Sequence, residues 1–176
     1  MALVDGPSVF ATSVIAPDYE TMVQQADLIF TGRMVSQHGE WREFGGKRSI
    51  VTIVKFEVLG VQKGQAGGSV ELQFLGGTVG DTTLDVTAMP KFKKAERTVL
   101  FVQGNGVNAS PVVGFYHGKF RVESDGQGQD FMTHPDGIPL TDISEIGKAH
   151  SRRAGTRALS LSEFTSKVSE TAKKRK

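Results

Sequence analysis

The chain has 176 residues, enough for one domain with a tail or an insertion and too few for two full-sized domains. Hydrophobic residues make up 38% and charged residues 23%, which excludes a chain that is disordered throughout. Cysteine is absent, and this excludes disulfide scaffolds, cysteine-ligated metal sites and thiol chemistry. No apolar run reaches the roughly 18 residues that a membrane-spanning helix needs, so we expect no membrane span.

The net charge of +2 conceals an uneven distribution of charge. From Arg152 to Lys176 the chain carries eight basic and two acidic residues, whereas the preceding residues carry 13 basic and 17 acidic ones. A nucleic-acid surface needs positive charge that neutralises phosphates. The mildly acidic body therefore argues against nucleic acid as its partner.

The N-terminal region precedes a short predicted helix. Residues 1–16 are predicted to be a flexible terminus. They are not an intact signal peptide, because they lack its basic start and Asp5 interrupts their apolar residues. Residues 9–16 fit either the remnant of a cleaved signal, with residues 1–8 added in cloning, or a native terminus without fixed structure. Residues 17–26 place apolar side chains at helical spacing behind Pro17 and predict a helix that lies on the body.

From Leu28 onward the apolar residues alternate with a period of two, which is typical of β-strands. The predicted strands cover residues 28–35, 49–59, 69–74, 83–87, 98–102, 112–116 and 119–123. The third of these is the clearest half-buried strand, and residues 98–102 are predicted to be central. Residues 37–47 are polar and contain Gly45-Gly46, so we expect a hairpin that pairs the first two strands antiparallel. In the last strand Phe120 is expected inward and Lys119 outward.

The C-terminal third contains fewer regular patterns. Residues 125–139 are rich in turn residues and are predicted to be irregular, followed by a helical turn near residues 141–148 and a charged linker over 148–155. Ser160 and Glu163 have the spacing of a capping box. The apolar stripe of Leu161, Phe164 and Val168 predicts a helix that docks on the body and frays at its basic end.

These elements predict a mainly β fold. About seven strands without intervening helices exclude a doubly wound sheet and favour an antiparallel OB-like β-barrel with a helix at each end; a seven-stranded β-sandwich is the alternative. The predicted organisation is a flexible N-terminus over 1–16, the barrel over 17–124, an irregular excursion and linker over 125–155, and a C-terminal helix with a basic tail over 156–176, packed on the barrel.

Several short phrases carry a resemblance: the strand of residues 26–36, the V-L-x-x-x-K-G phrase at 58–64, and residues 76–80, 97–102 and 113–120. They resemble a family of uncharacterised bacterial exported β-rich proteins, some of which accompany matrixin-type metalloproteases. More loosely, they resemble the OB barrels of netrin modules and tissue inhibitors of metalloproteinases. The resemblance implies an exported location, periplasmic or extracellular. The inhibitors place an N-terminal cysteine on the catalytic zinc, and that mechanism cannot be carried over to a chain without cysteine.

No pattern predicts a catalytic residue, a cofactor or a metal site. His117, His134 and Asp136 offer nitrogen and oxygen ligands, but their spacing fits no metal motif. The Gly-x-Ser-x-Gly and Ser-x-x-Lys patterns of serine nucleophiles are missing. Residues 76–80 lack the ending of a phosphate loop, and residues 125–130 lack the carboxylates of an EF-hand. We therefore expect a protein that is not an enzyme.

Basic and aromatic residues meet at two predicted loops. The candidate binding residues are Trp41, Arg42 and Phe44 at the hairpin tip and Lys91, Phe92, Lys93 and Lys94 in the loop before residue 98. Exposed loop aromatics are typical of protein recognition, so we predict that these residues line one surface for a protein partner. The alternatives are a regulator or inhibitor of a metalloprotease, and an OB-type barrel that binds single-stranded nucleic acid or a small ligand. A core filled by Phe56, Phe74, Phe101 and Phe120 would exclude a ligand carried inside the barrel.

Overall fold

The structure is a computed structural model that describes residues 15–149 and 156–174. The predicted flexible N-terminus up to residue 14, the linker residues 150–155 and the last two basic residues lie outside this described part. In chain order the elements are α1 (Tyr19–Gln25), β1 (Leu28–Phe44), β2 (Lys47–Lys63), β3 (Ser69–Leu75), β4 (Gly77–Val79), β5 (Thr82–Leu84), β6 (Arg97–Val102), β7 (Lys119–Ser124), β8 (Asp130–Thr133), a 3-10 turn (Ile143–Glu145) and α2 (Leu161–Lys173).

Six strands form one antiparallel sheet in the order β3-β2-β1-β6-β7-β8, while β4 and β5 form a separate two-stranded sheet. This confirms the mainly β fold and the antiparallel pairing of the first two strands. The ladder runs from β3 to β8 and does not close on itself within the described residues. The strands therefore form neither a closed barrel nor a seven-stranded sandwich in that part of the chain.

The outermost strands, β3 and β8, are each contacted on their outer edge by a neighbouring segment. At β3, the side chain of Asn105 accepts a hydrogen bond from the N–H of Gln73 and donates one to the carbonyl oxygen of Glu71. At β8, the N–H of Met132 donates to the carbonyl oxygen of Leu159. Unpaired edge groups would otherwise be open to pairing with another chain, and these contacts occupy them.

The sheet buries an apolar core on each of its faces. Phe56 and Phe74 lie on one face, in a cluster built from β1, β2, β3 and β6. Phe101 and Phe120 lie on the other face, where they contact Phe164 of α2. All four predicted core phenylalanines are buried, but they are divided between the two faces. Strand β6 contributes to both clusters, which confirms that it is central.

Both predicted helices are present, and local side-chain chemistry fixes where they begin. The Asp18 carboxylate accepts a hydrogen bond from the N–H of Thr21 at the start of α1. Ser160 and Glu163 form the predicted capping box at the start of α2. Hydrogen bonds from Arg157 and from Ser160 lower the pKa of Glu163 to about 2. The apolar stripe of α2 packs on the sheet.

Three segments differ from the sequence predictions. Residues 37–47 are not a connection, because β1 and β2 continue as paired strands to Phe44 and Lys47. Residues 112–116 form turns with a single bridge at Val112 instead of a strand. The predicted irregular segment contains β8, which extends the sheet beyond residue 124. In the first and third segments, pairing with the neighbouring strand of a hairpin determines the conformation, and the local pattern of apolar residues does not carry that information.

A β-bulge interrupts β1 where it leaves the body of the sheet. The register against β2 shifts between Met34 and Ser36, which leaves Val35 without a partner on β2. Just before the bulge, the N–H of Met34 donates to the carbonyl oxygen of Glu96, and Met34 accepts from the N–H of Ala95. Bulges bend the strand that contains them and increase its twist. The bulge therefore sets the direction in which the end of the hairpin leaves the sheet.

Candidate interaction surface

The β1–β2 hairpin extends beyond the strands that flank it. Strand β6 pairs with β1 only as far as Arg33, and β3 pairs with β2 only between Val51 and Glu57. We call residues 36–44 of β1 and 47–55 of β2 the ribbon. In its last residue pairs, from Trp41–Ile50 to Phe44–Lys47, neither strand has a further strand paired with it. At the usual rise per residue this free end reaches about 15 Å beyond β3.

Two glycines form the turn at the end of the ribbon. Gly45 has a φ of 59° and Gly46 a φ of 75°, so both residues adopt the left-handed conformation. A two-residue hairpin turn of type I′ requires positive φ at both positions, and glycine adopts it without steric cost. The Gly-Gly signal in the sequence therefore identified the turn correctly.

Trp41 lies on one face of the ribbon beside Arg48. Trp41 is 41% exposed as a residue, and the guanidinium carbon of Arg48 lies 4.8 Å from the centroid of its ring. Such an exposed cation–π contact contributes about 0.5–1 kcal/mol. Its cross-strand neighbour Ile50 is buried. The ring therefore has a defined orientation while much of its surface stays open to solvent.

Arg42 and Phe44 lie on the opposite face from Trp41, because side chains alternate along a strand. Arg42 donates a hydrogen bond of 3.1 Å to the side-chain oxygen of Gln73 on β3 and forms an ion pair with Glu40. The hairpin residues of the predicted site are thus divided between two faces. The structure therefore does not place these three residues on a single face of the ribbon.

Phe92 is buried, which corrects its prediction as an exposed contact. The residue is only 7% exposed. Its ring centroid lies 5.1 Å from that of Phe56 and 5.5 Å from that of Phe74. The physical reason is that Phe92 completes one of the two apolar cores, while the adjacent Lys91 and Lys93 point to solvent. The lysines of this loop suggested that all of its side chains are exposed. The ring of Phe92 is buried instead.

The basic loop lies at the base of the ribbon and not at its tip. Hydrogen bonds of Ala95 and Glu96 to Met34 hold the turn of residues 93–96 against β1. Along β1, Met34 and Trp41 are separated by about 20 Å at the usual rise per residue. Lys93 and Lys94 are exposed there. The structure therefore does not bring these lysines together with Trp41.

Lys119 was predicted outward and is instead buried. Its side chain is 7% exposed, and its ammonium lies 2.6 Å from a carboxylate oxygen of Glu96. The same ammonium lies 4.3 Å from the ring centroid of Phe92. Burial lowers the pKa of Lys119, and its hydrogen bond to Glu96 opposes that shift. The pair joins β7 to the loop before β6, and no spacing in the sequence signals such a contact.

Three residues considered as metal ligands line one cavity. His117, His134 and Asp136 border a space of about 460 Å³, together with Tyr116 and Lys148. The ring centroids of Tyr116 and His117 lie 4.1 Å apart. Over residues 15–149 and 156–174, no group of three histidine, aspartate or glutamate side chains is arranged to hold a metal ion. The structure brings these residues to the same cavity without forming a metal centre there.

Among the helices of the described residues, none is both long and apolar enough to cross a membrane. Comparison of the chain with protein-family models, with curated proteins and with solved structures finds no match in any of the three. A function for this chain therefore has to be argued from its own residues and their geometry.

Proposed function

We propose that this chain is a non-catalytic interaction module that recognises a protein partner through the ribbon, with Trp41 as the central contact. One observation carries the proposal: a tryptophan that is 41% exposed lies at the projecting end of the hairpin, with Arg48 against its ring. Tryptophan and arginine are enriched among the residues that dominate binding energy at interfaces. A ring that is already oriented loses little conformational entropy on binding.

The proposed contact set differs from the predicted one at two positions. Arg48 joins Trp41 on one face of the ribbon, and Phe92 leaves the set because its ring is buried. Arg42 and Phe44 contribute on the opposite face, so a partner that contacts both faces must enclose the ribbon. The exposed side chains of Lys91, Lys93 and Lys94 form a separate basic patch near the base.

The OB-type architecture remains part of the proposal. The strand order β3-β2-β1-β6-β7 supports it, since five OB strands follow one another in this order when the barrel is opened between the third and the last. The segment of residues 76–96 takes the place of the connection between the third and fourth strands. On the sheet face that carries Phe56, the apolar core is filled by phenyl rings, namely those of Phe30, Phe56, Phe74 and Phe92. A core filled in this way argues against a ligand carried inside the barrel.

The exported location and a protease as partner also remain proposals that rest on the resemblance. Single-stranded nucleic acid receives no support from the ribbon, where acidic Glu40 and Glu43 alternate with the basic side chains. A panel of zinc proteases belongs among the candidate partners to be assayed. Inhibition by the chain would identify the partner class.

The proposal is tested by affinity capture from the exported fraction of the host, with the full chain as bait. Trp41→Ala is compared with Val107→Ala, a matched control at an apolar residue that is 77% exposed and lies outside the ribbon. We expect the wild type and the control to retain the same partner. The Trp41 variant should bind that partner at least about 10-fold more weakly, as for a central interface residue.

Trp41 also supplies the readout for the purified pair, because it is the chain's single tryptophan. Its emission should shift to shorter wavelength as the partner covers the ring. The proposal fails if the wild type retains no partner, or if the Trp41 variant binds as well as the control.

A further inference from the structure

The outer edge of β1 has no strand beside it along the ribbon. Among the described residues, β1 pairs on that side only with β6, whose last partner is Arg33. Residues 36–44 then continue with β2 as their one paired strand, while the backbone of Thr78 in β4 lies over the face of the ribbon at Gly39 and leaves the edge itself unpaired. The other edges of the sheet are covered by Asn105 and by the segment before α2. An open strand edge of this length is a template for the addition of another strand.

The direction of the backbone groups on this edge follows from one hydrogen bond. The N–H of Gly76 donates to the carbonyl oxygen of Ile50, so the backbone N–H and carbonyl groups of Ile50 point away from β1. Ile50 and Trp41 are therefore a non-hydrogen-bonded pair, and the backbone N–H and carbonyl groups of Trp41 point away from β2. Directions alternate along a strand, so Gly39 and Glu43 share the orientation of Trp41. Three consecutive odd-numbered residues thus present an N–H and a carbonyl oxygen to the open edge.

We propose that this edge pairs with the same edge of a second copy, antiparallel about a two-fold axis at Trp41. In this register Trp41 lies opposite Trp41 of the second copy, and Gly39 lies opposite Glu43. All three resulting residue pairs are of the hydrogen-bonded kind, which gives about six backbone hydrogen bonds. A two-fold interface uses the same surface on both subunits, as this register requires.

Charge selects this register among its neighbours. It places Glu40 of each copy opposite Arg42 of the other, so two pairs of opposite charge form across the interface. A slide of two residues towards the body sets Glu40 against Glu40, and a slide of two residues away sets Arg42 against Arg42. Directly opposed unlike charges stabilise a strand pair and like charges destabilise it. A further slide towards the body brings the second copy's turn against β6, which occupies the edge up to Arg33.

The inference deepens the proposed function and shares with it only the use of the ribbon. Pairing would produce a four-stranded strip with two Trp41 rings side by side on one face, at a backbone separation of about 5.5 Å. Both Arg48 side chains lie on that face as well. A partner protein would then meet a doubled contact instead of a single ring.

The test is sedimentation equilibrium of the full chain over a range of concentrations, with the variants Glu40→Arg and Arg42→Glu. We expect the wild type to dimerise. Each variant alone should dimerise at least about 10-fold more weakly, because each sets like charges opposite one another twice per dimer. Each variant also breaks the ion pair between Glu40 and Arg42 within one chain, so the single variants need a control.

An equimolar mixture of the two variants supplies that control. Neither chain in the mixture regains its internal ion pair, yet every pair across the interface is again of opposite charge. We expect the mixture to form a heterodimer about as tightly as the wild type dimerises. Exciton coupling between the two Trp41 rings in circular dichroism should appear in the wild type and in the mixture, and be lost in each variant alone.

The inference is overturned if the wild type stays monomeric at the highest concentration measured, or if the mixture stays monomeric. A monomer that still captures its partner through Trp41 would overturn this inference alone. A dimer that captures no partner would overturn the proposed function alone. A monomer whose β1 edge is occupied by another protein's strand also decides against a second copy.

Discussion

Removal of the Phe92 ring is expected to destabilise the fold by about 4 kcal/mol while the ribbon keeps its structure. Phe92 is 7% exposed as a residue, and its ring lies nearly perpendicular to that of Phe56, at 5.1 Å between centroids. Truncation of a buried phenylalanine to alanine costs about 3–5 kcal/mol, since contacts are lost and a cavity remains. The buried ammonium of Lys119 also loses its contact with the aromatic ring. We therefore expect the loss of unfolding free energy to be no smaller than the middle of that range.

Urea unfolding, followed by far-UV circular dichroism and by the emission of Trp41, measures this loss. For an m-value of about 2 kcal/mol/M, the midpoint should fall by about 2 M. Phe92→Leu is the matched control; it keeps most of the volume and should cost about 1 kcal/mol. The reasoning is refuted if Phe92→Ala costs less than about 1 kcal/mol at an unchanged m-value, because a ring that matters so little is not a core residue.

Two further predictions concern ion pairs. Lys119→Met should cost about 3 kcal/mol in urea unfolding, because it leaves the carboxylate of Glu96 buried without its counter-ion; the double variant with Glu96→Gln should recover part of that loss, and no recovery would contradict the pairing. Arg97 lowers the pKa of Asp130 by hydrogen bonding, so the pair stabilises the fold above the unfolded pKa of that carboxyl, and this stabilisation is lost as pH falls through the folded value. Arg97→Met should therefore cost about 1 kcal/mol at pH 7. This loss should shrink as pH falls through the folded pKa of Asp130, and a loss that stays constant down to the acid limit of folding would contradict the assignment.

Local chemistry made part of this fold predictable from the sequence. The capping box of Ser160 and Glu163 and the Gly45-Gly46 turn depend on residues within a few positions of each other, and both are present in the structure. The apolar run of β6 likewise reported burial on both faces. Each of these patterns lies within a single helix, turn or strand, so it can be recognised without knowing which other segments pack against it.

The ribbon and the buried loop residues escaped prediction for a different reason. Residues 37–47 show no apolar alternation, because much of the ribbon's surface is in contact with solvent, and a strand without a buried face has no period-two signal. Phe92 and Lys119 are buried by each other and by segments far away in the chain. Whether the sheet closes into a barrel also depends on which segments cover its edges. The residues next to Asn105 in the sequence do not indicate that its side chain covers the outer edge of β3.

The bulge at Val35 sets the direction of the ribbon without affecting which side chains lie on its surface. The extra residue bends β1 at the point where β6 ends, yet the pairing of residues 36–44 with β2 continues regularly beyond it. Loss of that one residue would straighten the strand and redirect the whole hairpin, with the contact between Trp41 and Arg48 carried along unchanged. The direction of the ribbon can therefore change through the bulge at its base, while its binding chemistry can change separately through the side chains near its tip.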